Sequence, residues 1–171
     1  MIEIVGLAAR TGVWYPMWDH YGPYEERVAP GAFEDLDGPM VLRFDHTGLP
    51  LASMGPGRAN TLTVWQDEEG LWYRAYIDDS PAGNNLLRAV QRRDAIESSF
   101  YGRMVEWEWD KDMAKLTLTR VSMARGDVAP VTYGANPYTS VEIPGNGTPT
   151  ARTSGRRMLA RMVVSPKEVT L

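Results

Sequence analysis

From Met104 to Trp109 the chain alternates strictly, with Val105, Trp107 and Trp109 separated by Glu106 and Glu108. A period of two places alternate side chains on opposite faces and predicts a half-buried strand. Asp110-Lys111-Asp112 supplies a turn, and residues 115–121 return with Leu116 and Leu118 on one face. Further short β-prone runs lie at 2–9, 40–44, 61–65, 71–77, 96–100, 128–133 and 139–143. The polar stretch Gln66-Asp67-Glu68-Glu69-Gly70 separates two of them and suits a hairpin loop ending in glycine.

One segment has the helical period instead. Ser80 is placed to cap it, and Pro81 sits in the first turn, where a missing N–H costs nothing. Leu86, Leu87 and Val90 form one apolar face, while Arg88, Arg92 and Arg93 put positive charge at the C-terminal end. The spacing predicts a helix over 81–93. Many short strands with one clear helix predict a β-rich α+β fold, a β-barrel or sandwich with helical additions. After Pro144 the composition turns to Gly, Pro, Thr, Ser and Arg. This divides the chain into a domain over 1–144 and a flexible basic tail over 145–171, with a basic amphipathic segment at 156–164.

Composition narrows the functional classes. The 171 residues suffice for one domain with a core. The chain has no cysteine, which excludes disulfides, thiolate catalysis and cysteine-ligated metals. No apolar run reaches the ~20 residues that span a bilayer, and the first ten residues lack the pattern of a secretory signal, so no membrane partner is expected. The net charge of −4 divides unevenly: residues 1–144 carry 13 Lys+Arg against 21 Asp+Glu, and the rest carry five against one. An acidic body is not built to neutralise phosphates, so nucleic acid is not expected as a partner.

The candidates for chemistry are few. The chain has two histidines. His20 lies in the aromatic, turn-rich Trp18-Asp19-His20-Tyr21-Gly22-Pro23, where packing or surface exposure is the natural role. His46 follows the apolar run Met40-Val41-Leu42-Arg43-Phe44 and could serve as a base if a nucleophile and an orienting group were in reach. Asp67-Glu68-Glu69 and Asp78-Asp79 read as solvated turn charge rather than a metal site, and no cofactor is expected. Neither a phosphate-binding glycine loop nor a Gly-x-Ser-x-Gly nucleophile elbow is present. Ser98 and Ser99 follow the helix in a β-prone run, and because neighbours on a strand face opposite ways, only one of them can face His46.

Four segments, in order, resemble the prohead proteases of tailed phages, and the likeness runs through most of residues 3–143. The first is Tyr24-Glu25-Glu26-Arg27-Val28-Ala29-Pro30-Gly31-Ala32-Phe33, and the second is Val41-Leu42-Arg43-Phe44-Asp45-His46 with Leu49-Pro50-Leu51-Ala52. The third, Ser98-Ser99-Phe100-Tyr101-Gly102, is similar to the family's Ser-Phe-Gly-Phe nucleophile segment. Tyr101-Gly102 stands where Gly-Phe is usual. The fourth runs from Gly126-Asp127-Val128-Ala129-Pro130 to Pro137, with Ala129 in place of the usual Ser and Gly134 in place of the usual Pro. The resemblance implies His46 as base, Ser99 as nucleophile with Ser98 as the alternative, and Asp127 as third member. The segment around Gly134 is a guessed source of oxyanion donors. It further implies a β-barrel flanked by a few helices, like the herpesvirus assembly protease, and by the same analogy a homodimer. The expected activity is serine endopeptidase cleavage of the scaffolding segment of the major capsid protein, and of the chain itself, inside an immature capsid in the host cytoplasm. The competing expectations are a catalytically inactive β-barrel scaffold and a metal-dependent hydrolase, the latter short of ligands.

Overall fold

The architecture, a computed structural model describing residues 1–145, is built on one long strand. In chain order the elements are β1 (Ile2–Arg10), β2 (Tyr15–Asp19), β3 (Gly22–Val28), β4 (Phe33–Glu34), β5 (Met40–Phe44), β6 (Thr47–Met54), β7 (Leu62–Gln66) and β8 (Gly70–Ile77). Helix α1 (Pro81–Gln91), β9 (Glu97–Trp109), β10 (Lys115–Val131) and β11 (Ser140–Glu142) follow. Strand β10 pairs antiparallel with β9 along one edge. On its other edge it takes three short parallel partners in turn: β3 beside Lys115–Leu118, β4 beside Val121–Ser122, and β5 beside Asp127–Val128. Strands β2 and β6 complete this sheet as antiparallel neighbours of β3 and β5. The second sheet is antiparallel throughout, in the order β11-β1-β8-β7.

The expected barrel is not closed among the described residues. At one seam between the sheets the Val141 N–H donates to the Ile96 carbonyl (3.1 Å), and at the other the Ser53 N–H donates to Thr61 Oγ1 (3.3 Å). Register shifts between β9 and β10 mark bulges, which bend a strand and interrupt its ladder. Neither seam carries a ladder. Where several flanking helices were expected, the described residues contain α1 alone.

Helix α1 starts as the sequence predicts, with Ser80 Oγ accepting the Gly83 N–H at 3.1 Å. It stops at Gln91, two residues before the expected end, because Arg93 adopts a left-handed φ of 65° that no α-helix accommodates. Leu86, Leu87 and Val90 are buried in the core with Ile4, Leu42, Leu71, Ile77, Val121 and Val128. Full burial of side chains of this size stabilises the fold by ~1.5–3 kcal/mol each. Runs 96–100 and 104–109, expected as separate strands, are one strand, and so are 115–121 and 128–133 up to Val131. Gly102 lies inside β9 because a Cβ there would sit 2.9 Å from Met123 Sδ and Val121 Cγ1, so the glycine serves close packing and is no break. The segment expected at 156–164 and most of the linker lie outside the described residues.

Candidate active site

The β9–β10 register decides which side chains share a face. Directly paired residues point the same way, so Glu97, Ser99 and Tyr101 on β9 lie on one face with Val131, Ala129 and Asp127 on β10. The opposite face, with Phe100 and Val128, looks into the core. Residues 123–126 of β10 bulge between the Ser122–Arg103 and Asp127–Tyr101 pairs. Gly126 permits the close approach this needs, since a Cβ there would fall 2.3 Å from the Tyr101 carbonyl oxygen. The bulge sets the register in which Asp127 arrives beside Val41 of β5.

Strands β5 and β6 are joined by a turn of two residues, Asp45 and His46, with φ of 48° and 57°. Left-handed conformations at both central positions define the tight hairpin turn whose twist matches that of the flanking strands. Asp and His are both among the non-glycine residues enriched in this conformation. The turn is tied to the end of β10, where the Asp45 N–H donates to the Pro130 carbonyl (3.0 Å). Thr132 donates its N–H to Asp45 Oδ1 (2.8 Å) and its hydroxyl to Oδ2 (3.1 Å). His46 is thereby brought against Asp127, with Nδ1 2.5 Å from Oδ1. The two side chains are 29% and 12% exposed, enough cover to limit competition from water. A carboxylate accepts, so the contact suits an Nδ1–H donor, and in that neutral tautomer Nε2 would keep its lone pair.

Ser98 and Ser99 have opposite fates. Ser98 is fully buried: its hydroxyl donates to the Ser140 carbonyl (2.7 Å) and is bonded to the Tyr73 hydroxyl (2.8 Å), while its N–H donates to Thr139 Oγ1 (3.0 Å). Tyr73 reaches it by lying across Gly6, where a Cβ would be 2.3 Å from the ring, and burial pushes the phenol well above its usual pKa. Ser99 is half-buried on the face shared with Asp127, one diagonal step along the ladder. Among the described residues no hydrogen bond joins Ser99 to His46. Such bonds commonly tighten only in the substrate complex.

Other expected candidates fall elsewhere. His20 stacks on Tyr21 at the β2–β3 turn, with ring centroids 3.7 Å apart, and has no contact with the His46 pair. Asp67 Oδ1 accepts the Glu69 and Gly70 N–H groups, and Asp78 Oδ1 accepts from Ser80, so both act in local turns. No three His, Cys, Asp or Glu residues cluster to hold a metal among the described residues, and no helix there is long and apolar enough to cross a membrane. Within the segment expected to supply oxyanion donors, the Gly134 N–H already donates to Glu97 Oε2 at 2.6 Å.

Sequence reasoning missed Glu97 and Asp45. Glu97 is 5% exposed, and burial raises its pKa against the lowering effect of the Gly134 N–H. Its one sequence signal was an acidic residue inside a β-prone run. For Asp45 the signal was an acid beside the histidine at a strand end.

Residues 8–153 match the model of a protein family described as caudovirus prohead serine protease. No curated protein and no solved structure matches the chain.

Proposed function

Because the chain belongs to the caudovirus prohead serine protease family, we propose that it cuts peptide bonds with Ser99 as nucleophile, His46 as general base and Asp127 as the orienting carboxylate. The observation that carries this reading is the His46–Asp127 contact, made between residues 81 apart in sequence on the sheet face that also bears Ser99. Family membership alone would not choose between Ser98 and Ser99. The buried bonds of Ser98 favour Ser99, because a hydroxyl locked between Tyr73 and the Ser140 carbonyl cannot reach a substrate.

In this mechanism His46 Nε2 takes the proton of Ser99 Oγ as the oxygen bonds to the peptide carbonyl carbon. The same proton passes to the amide nitrogen as the C–N bond breaks, leaving an acyl-serine that water hydrolyses by the reverse sequence. Asp127 holds the imidazole in the Nδ1–H tautomer and stabilises its cation. The substrates are the scaffolding segment of the major capsid protein and the protease itself, cut within the immature capsid in the host cell. A relationship of fold to the herpesvirus assembly protease, and with it a homodimer, rests on the family and on the β-rich, two-sheet architecture.

The test is intact-mass analysis of wild type and Ser99→Ala, each co-expressed with the major capsid protein. Trimmed capsid protein and shortened protease in the wild type alone are expected. Equal masses in both, from assembled particles, would overturn the reading in favour of an inactive scaffold. Native mass spectrometry of the same samples reads the homodimer.

A further inference from the structure

The stretch that follows β10 touches both halves of the site without belonging to either. Thr132 is gripped through its N–H and hydroxyl by Asp45, the residue before His46. Two residues later, the Gly134 N–H is held by Glu97, two residues before Ser99 on the same sheet face. Each carboxylate reaches a segment remote in sequence, across 87 and 37 positions respectively. Gly134 leaves little room for a side chain, since a Cβ would lie 3.1 Å from the Ser98 carbonyl oxygen and 3.3 Å from Glu97 Oε2. The far side is fixed as well: Asn136 donates to the Arg10 carbonyl, and Thr139 bonds both the Asn136 carbonyl and the Ser98 N–H.

We propose that residues 132–134 form a brace, clamped by Asp45 at one end and Glu97 at the other, that sets the separation of His46 from Ser99. Asp45 and Glu97 are then positioning residues: neither touches substrate, and each acts through the strand or turn that carries a catalytic group. The inference rests on the assignment of Ser99 and His46 given above. Its physical basis is the steep cost of misplacement, since a shift of ~1 Å between reacting groups can slow an enzyme about 100-fold. The His46 turn and β9 share no ladder, because β10 lies between them. The brace, which continues directly from β10, adds side-chain bonds to the backbone pairing that already ties both to that strand.

The experiment uses the full chain and two readouts: the rate at which a fluorophosphonate probe labels the active serine, and kcat and KM on a peptide spanning the cut site found by intact mass. Glu97→Ala should slow labelling and kcat about 10- to 100-fold with KM unchanged. Glu97→Gln, whose amide oxygen still accepts the Gly134 N–H, should restore both to within about 3-fold of wild type. Asp45→Gly removes the other clamp while tolerating the left-handed φ, and should give a loss of similar size. It decides the question if Glu97→Ala does not fold. Wild-type rates in Glu97→Ala or Asp45→Gly, with Ser99→Ala unlabelled, would overturn the brace alone. A loss that Gln does not restore, or a rise in KM with kcat intact, would also overturn it. Labelling and cleavage by Ser99→Ala would overturn the catalytic assignment beneath it.

Discussion

The two ends of the β9–β10 ribbon share one ladder and differ in what lies over their outer face. Toward the hairpin end, Met104 and Trp107 are 52% and 51% exposed, and Arg120 pairs with Glu34 and Glu106 in solvent. Exposed pairs of that kind contribute ~0–1 kcal/mol. Toward the other end Glu97, Asp127 and Ala129 are all buried, under the His46 turn and the segment after β10. Backbone pairing is alike at both ends. What changes the chemistry is the cover, which removes water from Asp127 and leaves it a histidine as partner. A site on a sheet of this kind is made by the turns that close over it.

The contrast breaks most visibly at Asp127. Asp127→Asn, with the fold kept, should lower kcat by ~10²–10⁴-fold, because an amide in place of the carboxylate favours the wrong histidine tautomer. Its counterpart at the solvent-facing end, Trp107→Ala, should leave kcat unchanged and cost ~1–3 kcal/mol of stability for the covered half of its ring. A steady-state assay beside thermal melts of both variants checks the pair.

A smaller effect separates the two faces of β9. Ser98→Ala should destabilise the fold by ~1–3 kcal/mol, since it strips a partner from the buried Tyr73 hydroxyl, yet leave the rate per folded molecule near wild type. Denaturant titration with active-serine labelling measures both quantities, and a lost rate without lost stability would move the nucleophile to Ser98.

The smallest effect concerns Glu26, buried at the β2–β3 edge with the Tyr15 hydroxyl donating to it at 2.7 Å. Burial raises its pKa above the ordinary 4.5, and its bonds to Tyr15 and Tyr24 offset part of the rise. The folded protein therefore binds more protons than the unfolded chain between 4.5 and the raised value. This contribution to stability is complete below 4.5 and is lost as pH rises through the folded pKa. In Glu26→Gln the contribution should vanish, so that wild type gains melting temperature on the variant as the pH is lowered through that window.

The sequence made some of this legible and hid the rest for physical reasons. Helix α1 was readable because its cap and apolar face are local. Strands β2 to β4 were not, because Pro16, Pro23, Glu25 and Glu26 interrupt the alternation; Glu26 reads as surface until Tyr15 is seen beside it. Gly102 and Gly126 fall in the gaps between expected strands, yet each sits inside one continuous strand and lets the neighbouring strand approach. His46, Ser99 and Asp127 could be singled out through the order of four motifs. That His46 meets Asp127 depends on the β5–β10 pairing, which no local pattern encodes. Asp45 and Glu97 escaped because their partners lie 87 and 37 residues away.

The parallel pairing of β10 with β3, β4 and β5 has a consequence in time. These contacts join the first third of the chain to its last third, with Lys115 opposite Glu25 and Asp127 opposite Val41. Loop closure over such distances is slow, and topologies dominated by it fold in milliseconds to seconds, well behind local hairpins and helices. The His46–Asp127 contact depends on the last of these pairings. Until that pairing forms, His46 and Asp127 stay apart, so their contact belongs to the slow, long-range part of folding.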